Sequence, residues 1–181
     1  WCSYKYLNAG PGNVSTVFVH EKQIRKNPFR LSGWWGHKNR FSMEQEFNPM
    51  PTAEGWQLSN ASVFGMAVYR ASLELFKIAG FSKLIYKSTK LTKYLEDAIH
   101  EINSQSSHIK LNIITPKNPS ERGAQLSILI NTDGKKVFNK LKNSGVYLDW
   151  RNPNVIRIAP VPLYNSFEDI AKFYHILSKC I

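Results

Sequence analysis

Lys5 stands between Tyr4 and Tyr6 in the run Cys2-Ser3-Tyr4-Lys5-Tyr6-Leu7-Asn8. A lysine enclosed by aromatic side chains loses hydration, which disfavours the ammonium form and frees a neutral amine to attack a carbonyl and form a Schiff base. The same spacing also describes an ordinary surface lysine on a strand. Arg157 interrupts the otherwise apolar run Val155-Ile156-Arg157-Ile158-Ala159. A guanidinium fixed on a strand offers a planar fork for a carboxylate, and an arginine on an edge strand in water is the competing reading. Trp34 and Trp35 sit between Gly33 and Gly36, with His37 next. Two indoles on a glycine-flanked loop suit a flat aromatic ligand, or else anchor the loop by burying themselves. Ser59 and Asn60 precede a helical pattern, where they could bind a phosphate through free backbone N–H groups or simply cap the helix. His20, His100, His108 and His175 lack partners at metal-ligand spacing, and none is assigned a metal. There is no Gly-x-Ser-x-Gly elbow and no Gly-Lys-Ser/Thr phosphate loop.

These residues need a scaffold, and the composition allows one. The chain has 181 residues, of which 43% are hydrophobic, and its 24 Lys+Arg against 13 Asp+Glu give a net charge of +11. That is enough apolar material for one ordinary domain or two small ones, which excludes a disordered chain. No apolar run reaches the roughly 18 residues of a membrane helix. The start at Trp1 has neither an initiating Met nor a long apolar signal core, so a soluble piece of something longer is expected. Cys2 and Cys180 cannot make a disulfide framework, and a reducing, cytoplasmic setting is expected. The tightest basic cluster, Lys83, Lys87, Lys90 and Lys93, has helical spacing and reads as a solvated face rather than a nucleic-acid surface.

Residues 14–19 are β-branched and aromatic after a Gly/Pro turn signal and predict a strand. Residues 22–60, rich in Gly, Pro, Asn and Trp, predict a long structured loop. Helical periodicity runs over 62–76, is interrupted at Gly80, and resumes over 82–103. Strands are then predicted at 109–115, 125–131, 146–149 and 155–159, with helices at 135–143 and 166–178. The alternation implies an α/β fold with a domain boundary near residue 80.

Taken together, the blocks Ser3-Tyr4-Lys5-Tyr6-Leu7-Asn8-Ala9-Gly10, His20-Glu21-Lys22, Gly33-Trp34-Trp35-Gly36-His37, Gly55-Trp56-Gln57-Leu58-Ser59-Asn60, Arg151-Asn152-Pro153-Asn154 and Ile156 through Ser166 resemble kynureninase, the pyridoxal-phosphate enzyme family of tryptophan catabolism. The resemblance implies the C-terminal part of a type I pyridoxal-phosphate (PLP) enzyme fold. Residues 1–80 would end the large cofactor-binding domain and 81–181 would form a small α/β domain. By the same similarity Lys5 matches the lysine that carries pyridoxal phosphate, and Tyr4 matches its neighbour near the cofactor phosphate. Trp34 and Asn60 match cofactor positions, Trp35, His37 and Ser59 the substrate pocket, and Arg157 the clamp on the substrate α-carboxylate. The implied reaction cleaves kynurenine or 3-hydroxykynurenine in a homodimer, and only together with an N-terminal portion. Asn13 and Ala61-Ser62 depart from the family pattern, which more often has Gly and Pro-Pro there. A cysteine desulfurase or aminotransferase on the same scaffold, or a non-catalytic remnant, are the competing expectations.

Overall fold

A computed structural model describes residues 4–10, 12–106 and 108–181, with the side chain of Tyr4 outside the description. The chain divides into two compact units, Trp1–Ile78 and Ala79–Ile181.

In the first unit regular structure is sparse. A 3-10 helix, Tyr4–Leu7, carries Lys5; α1 (Glu21–Arg25) is short; two further 3-10 helices span Trp34–Gly36 and Ala53–Trp56; and α2 runs Val63–Ala79. The strand expected at 14–19 is not formed: Thr16 makes a single bridge, and Phe18 is 79% exposed. β-branched and aromatic residues favour an extended chain, but a strand also needs a partner to take its backbone hydrogen bonds. The cap of α2 is Ser62, whose Oγ accepts from the Gly65 N–H, so neither Ser59 nor Asn60 fills that role. Only Tyr69 and Ser72 of α2 are buried, while Val63, Phe64 and Ile78 lie exposed, Phe64 at 87%.

Gly80, with φ +82°, separates α2 from α3 (Phe81–Gln105) in a conformation that side chains rarely adopt. The second unit continues with β1 (Leu111–Ile113), β2 (Leu126–Ile130), α4 (Gly134–Asn143), β3 (Asp149–Arg151), β4 (Val155–Ile158) and α5 (Phe167–Cys180). The strand expected at 146–149 lies later, at Asp149–Arg151, because pairing with β4 fixes its register. The sheet has order β1-β2-β4-β3, and every neighbouring pair is antiparallel. One face buries Leu111, Leu126, Ile128, Ile130, Ile156 and Ile158. Against it pack Leu91, Leu95, Ile99 and Ile102 of α3, Val137 and Leu141 of α4, and Ile170, Phe173, Leu177 and Cys180 of α5, each set at helical spacing. Ser166 and Asp169 close a reciprocal capping box at the start of α5. Of the basic cluster on α3, Lys87 is half-buried and donates from Nζ to the Pro162 carbonyl at 2.8 Å, so it ties the helix to the segment after β4.

Glu96 of α3 and Arg122 form an ion pair at 2.9 Å whose side chains are only 12% and 4% exposed, and Arg122 also donates to the Pro116 carbonyl at 3.1 Å. Hydrogen bonding from Arg122 holds the Glu96 carboxyl below its ordinary value of 4.5. Glu96→Gln leaves a buried guanidinium without its counter-charge, and the expected loss is roughly 3–5 kcal/mol at neutral pH. Because the folded carboxyl is the stronger acid, the pair's contribution is full above the ordinary carboxylate range and fades as pH falls through the depressed folded value. Denaturant titrations of the chain and its Glu96→Gln variant should therefore differ at pH 7 and converge in acid; a constant gap across that range would refute the assignment.

Candidate active site

Lys5 lies in the 3-10 helix Tyr4–Leu7, and that helix is tied to α2 because Ser72 Oγ donates to the Leu7 carbonyl. Lys5 and Tyr6 are both exposed, and the side chain of Tyr4, the other aromatic that flanks Lys5, lies outside the described residues. After Lys5 the chain turns through Asn8 (φ 54°) and Gly10 (φ 86°), with Ala9 fully buried between them. Asn13 Nδ2 donates to the Ala9 carbonyl and its Oδ1 accepts from the Val14 N–H at 2.7 Å, which stitches this turn together. A cavity of about 370 Å³ lies between the turn and the start of α2, lined by Ala9, Gly10, Asn13, Ser62, Phe64 and Gly65. Asn13, read from sequence only as a departure, is thus the residue that shapes the turn.

Gly33, Trp34, Trp35 and Gly36 pack on the segment Glu54–Leu58 backbone to backbone. A Cβ on Gly33 would lie 2.3 Å from Leu58 Cα, and one on Gly36 would lie 2.9 Å from the Gln57 carbonyl oxygen. The glycines are there because nothing larger fits. Trp34 and Trp35 meet edge to face at 5.4 Å, and the Arg40 guanidinium covers the Trp35 ring at 4.5 Å. Trp34 keeps 41% of its surface exposed while its indole N–H donates to the Arg40 carbonyl. His37 is buried; its Nδ1 accepts from the Asn39 N–H at 2.9 Å and its Nε2 lies 3.1 Å from the Glu46 carbonyl, so both ring nitrogens are engaged by the loop. The loop carries an open pocket of about 300 Å³ lined by Trp34, His37, Arg40, Met43, Glu44 and Phe47. Hydrogen bonds from Asn39 and Ser42 hold the Glu44 carboxyl below its ordinary range. Ser59 and Asn60 follow Trp56 as exposed residues, and the Ser59 carbonyl accepts from Gln57 Nε2 at 3.2 Å. Sequence reasoning passed over Arg30, whose guanidinium stacks on Trp56 at 3.7 Å.

Arg157 belongs to the second unit. β4 lies inside the sheet, so Arg157 is not the edge-strand residue of the competing reading. Its register partners are Ser127 on β2 and Asp149 on β3. Partners in register share a face, so the three form a polar row on the side opposite the buried Ile156 and Ile158. Asp149 accepts a hydrogen bond from Nη2 of Arg157, whose side chain is 32% exposed. Asp149, which the sequence did not single out, becomes visible only through strand register.

The family model for the kynureninase C-terminal domain matches residues 84–177. This chain belongs to the kynureninase C-terminal domain family. The kynureninase of Christiangramia forsetii is 50% identical over 100% of the chain, and that of Xanthomonas campestris pv. campestris is 52% identical over 94%. The chain spans 43% and 40% of those two relatives' lengths. Among solved structures, a C-DES mutant with glycine covalently linked to its PLP cofactor aligns with a TM-score of 0.64 at 15% identity, covering 88% of this chain and 40% of that one. An apo cysteine desulfurase from Thermococcus onnurineus also gives 0.64, at 13% identity, covering 84% of this chain and 38% of that one. These likenesses establish the fold as the C-terminal part of a type I PLP-enzyme fold.

Since a methyl group at Gly33 has no room against Leu58, Gly33→Ala should push the loop off Glu54–Leu58 at a cost of roughly 1–3 kcal/mol. The near-ultraviolet circular dichroism of the paired indoles reports it: a spectrum unchanged from the parent chain would show that the close packing is not needed.

Proposed function

We propose that this chain is the C-terminal portion of a kynureninase that hydrolyses L-kynurenine or 3-hydroxy-L-kynurenine to anthranilate or 3-hydroxyanthranilate and L-alanine, with pyridoxal phosphate as cofactor. The observation that carries this is about 50% identity to kynureninases along the whole chain, including the stretches that hold Lys5, Trp34, Asn60 and Arg157. On this reading residues 1–80 end the large cofactor-binding domain and residues 81–181 are the small domain. The exposed apolar residues of α2, Val63, Phe64 and Ile78 among them, support further polypeptide covering that helix. We assign that cover to the rest of a longer chain and to a second subunit in a cytoplasmic homodimer.

The residues present fit the cofactor. Lys5 is an exposed primary amine on a helix held to α2 through Leu7 and Ser72, and Trp34 offers an exposed aromatic face. Lys5 would hold the cofactor through its aldehyde, Trp34 and Asn60 would contact it, and Tyr4 would serve its phosphate. Bound there, pyridoxal phosphate supplies the electron sink that makes the substrate α-proton removable. The Lys5 amine, when neutral, would act as the base that takes the substrate α-proton. Arg157 grips the α-carboxylate, which orients the substrate for the transfer. Tyr4 returns a proton after water has added to the γ-carbonyl and the Cβ–Cγ bond has broken. Trp35, His37 and Ser59 shape the pocket for the aromatic ring, His37 by fixing the loop that carries both indoles.

A desulfurase reading has less support. Cys180 is buried and burial pushes its thiol pKa up, the reverse of what a nucleophilic thiol needs, while Cys2 lies outside the described residues.

The test uses a chimera in which this chain follows the N-terminal portion of the Christiangramia forsetii kynureninase. With pyridoxal phosphate and kynurenine it should release anthranilate, and borohydride should fix the cofactor on Lys5, read by peptide mass. Lys5→Ala should abolish the label and cut turnover by at least about 10²–10⁴-fold. The chain by itself should bind the cofactor weakly and turn over no kynurenine. A label on another side chain sinks the proposal.

A further inference from the structure

Asp149 and Arg157 face each other across the β3–β4 register, and the Asp149 carboxylate accepts from Nη2 of Arg157. The same Oδ2 meets Nη2 of Arg151 at 3.0 Å. One carboxylate therefore serves two guanidiniums, and the trio keeps one net positive charge. Arg151 is 56% exposed and Arg157 only 32%, so water screens the former's charge more. Nε of Arg157 is buried and has no hydrogen-bond partner among the described residues. A buried N–H calls for an acceptor, and residual positive charge calls for an anion. Nε–H and the second N–H of Nη2 form a side-on fork whose spacing matches the two oxygens of a carboxylate.

A fork on a long, flexible side chain binds well only if its plane is fixed beforehand. Ser127, the register partner on the other side, is uncharged and cannot supply a counter-charge. Asp149 can, because it stands on a strand and its carboxylate pins a single nitrogen of the guanidinium.

We propose that Asp149 is the positioning residue of the carboxylate clamp: it holds Arg157 by Nη2 so that the unpaired Nε edge is kept for the α-carboxylate of an amino-acid substrate. This rests on the reading of Arg157 as the clamp. Asp149 touches no reacting atom; it acts through the guanidinium.

The experiment measures binding of kynurenine and of its decarboxylated analogue to the chimera described above, loaded with pyridoxal phosphate, and to its Asp149→Ala, Asp149→Asn and Arg157→Ala variants. The parent should prefer the carboxylate-bearing ligand, and Arg157→Ala should erase that preference. Asp149→Ala should weaken kynurenine by about tenfold or more and leave the analogue unmoved, since the loss concerns the carboxylate alone. Asp149→Asn, nearly isosteric and still an acceptor, should fall between. If Asp149→Ala and Asp149→Asn weaken both ligands equally or neither, while Arg157→Ala still erases the preference, the positioning role is wrong and the clamp stands. If Arg157→Ala keeps the preference, the clamp reading itself has failed.

Discussion

Ile156 and Ile158 are buried beneath α3, α4 and α5, and because side chains alternate along a strand, burying that pair sends Arg157 to the opposite face of the sheet. A shift of one residue in β4 would reverse this, exposing two isoleucines and forcing a guanidinium into the core. The apolar inner face therefore fixes the direction of the polar outer one. Antiparallel pairing does the rest, placing Ser127 and Asp149 beside Arg157. A stability requirement, a dry sheet face, thereby determines which polar groups stand side by side.

The first unit works by another constraint. Its functional loops hold few buried side chains, so they are positioned by backbone close to backbone. Gly33 and Gly36 sit against Glu54–Leu58 where no Cβ fits, and His37 spends both ring nitrogens on loop backbone groups. The effect is to present Trp34 outward from a loop that is itself pinned. Lys5 is treated similarly: its helix is anchored through Leu7 to Ser72, and the turn that follows is closed by Asn13. Such an arrangement fixes the backbone that carries Lys5 and Trp34 while both side chains stay exposed. Family members more than twice this length supply the context in which enclosure is to be sought.

Much of the molecule was legible from the residues alone. Helices α2 to α5 and the β2 and β4 strands follow from hydrophobic periodicity, because a buried face must repeat with the element's own period, whereas α1 buries no residue and falls where a loop was expected. The blocks around Lys5, Trp34 and Arg157 carried the family resemblance, which the match over residues 84–177 then established. The misjudged elements share a cause. Residues 14–19 have strand composition but form no more than a single bridge, the third strand sits at Asp149–Arg151 rather than at the more apolar 146–149, and Ser62 rather than its neighbours caps α2. In each case local propensity was right about what the chain could do, and the choice was made by a group distant in sequence or by one turn of geometry.

Sequence by itself determined which chemical groups are present, the periodic faces that must be buried, and the family. Tertiary structure alone decided that Arg157 stands on an interior strand with Asp149 as its counter-charge, that Asn13 closes the turn after Lys5, and that His37 is consumed by its own loop. The division is physical. Composition and period are properties of neighbours along the chain, whereas the partner of a charge or of a buried ring nitrogen is set by strand register and loop closure, which bring together residues that no local pattern links.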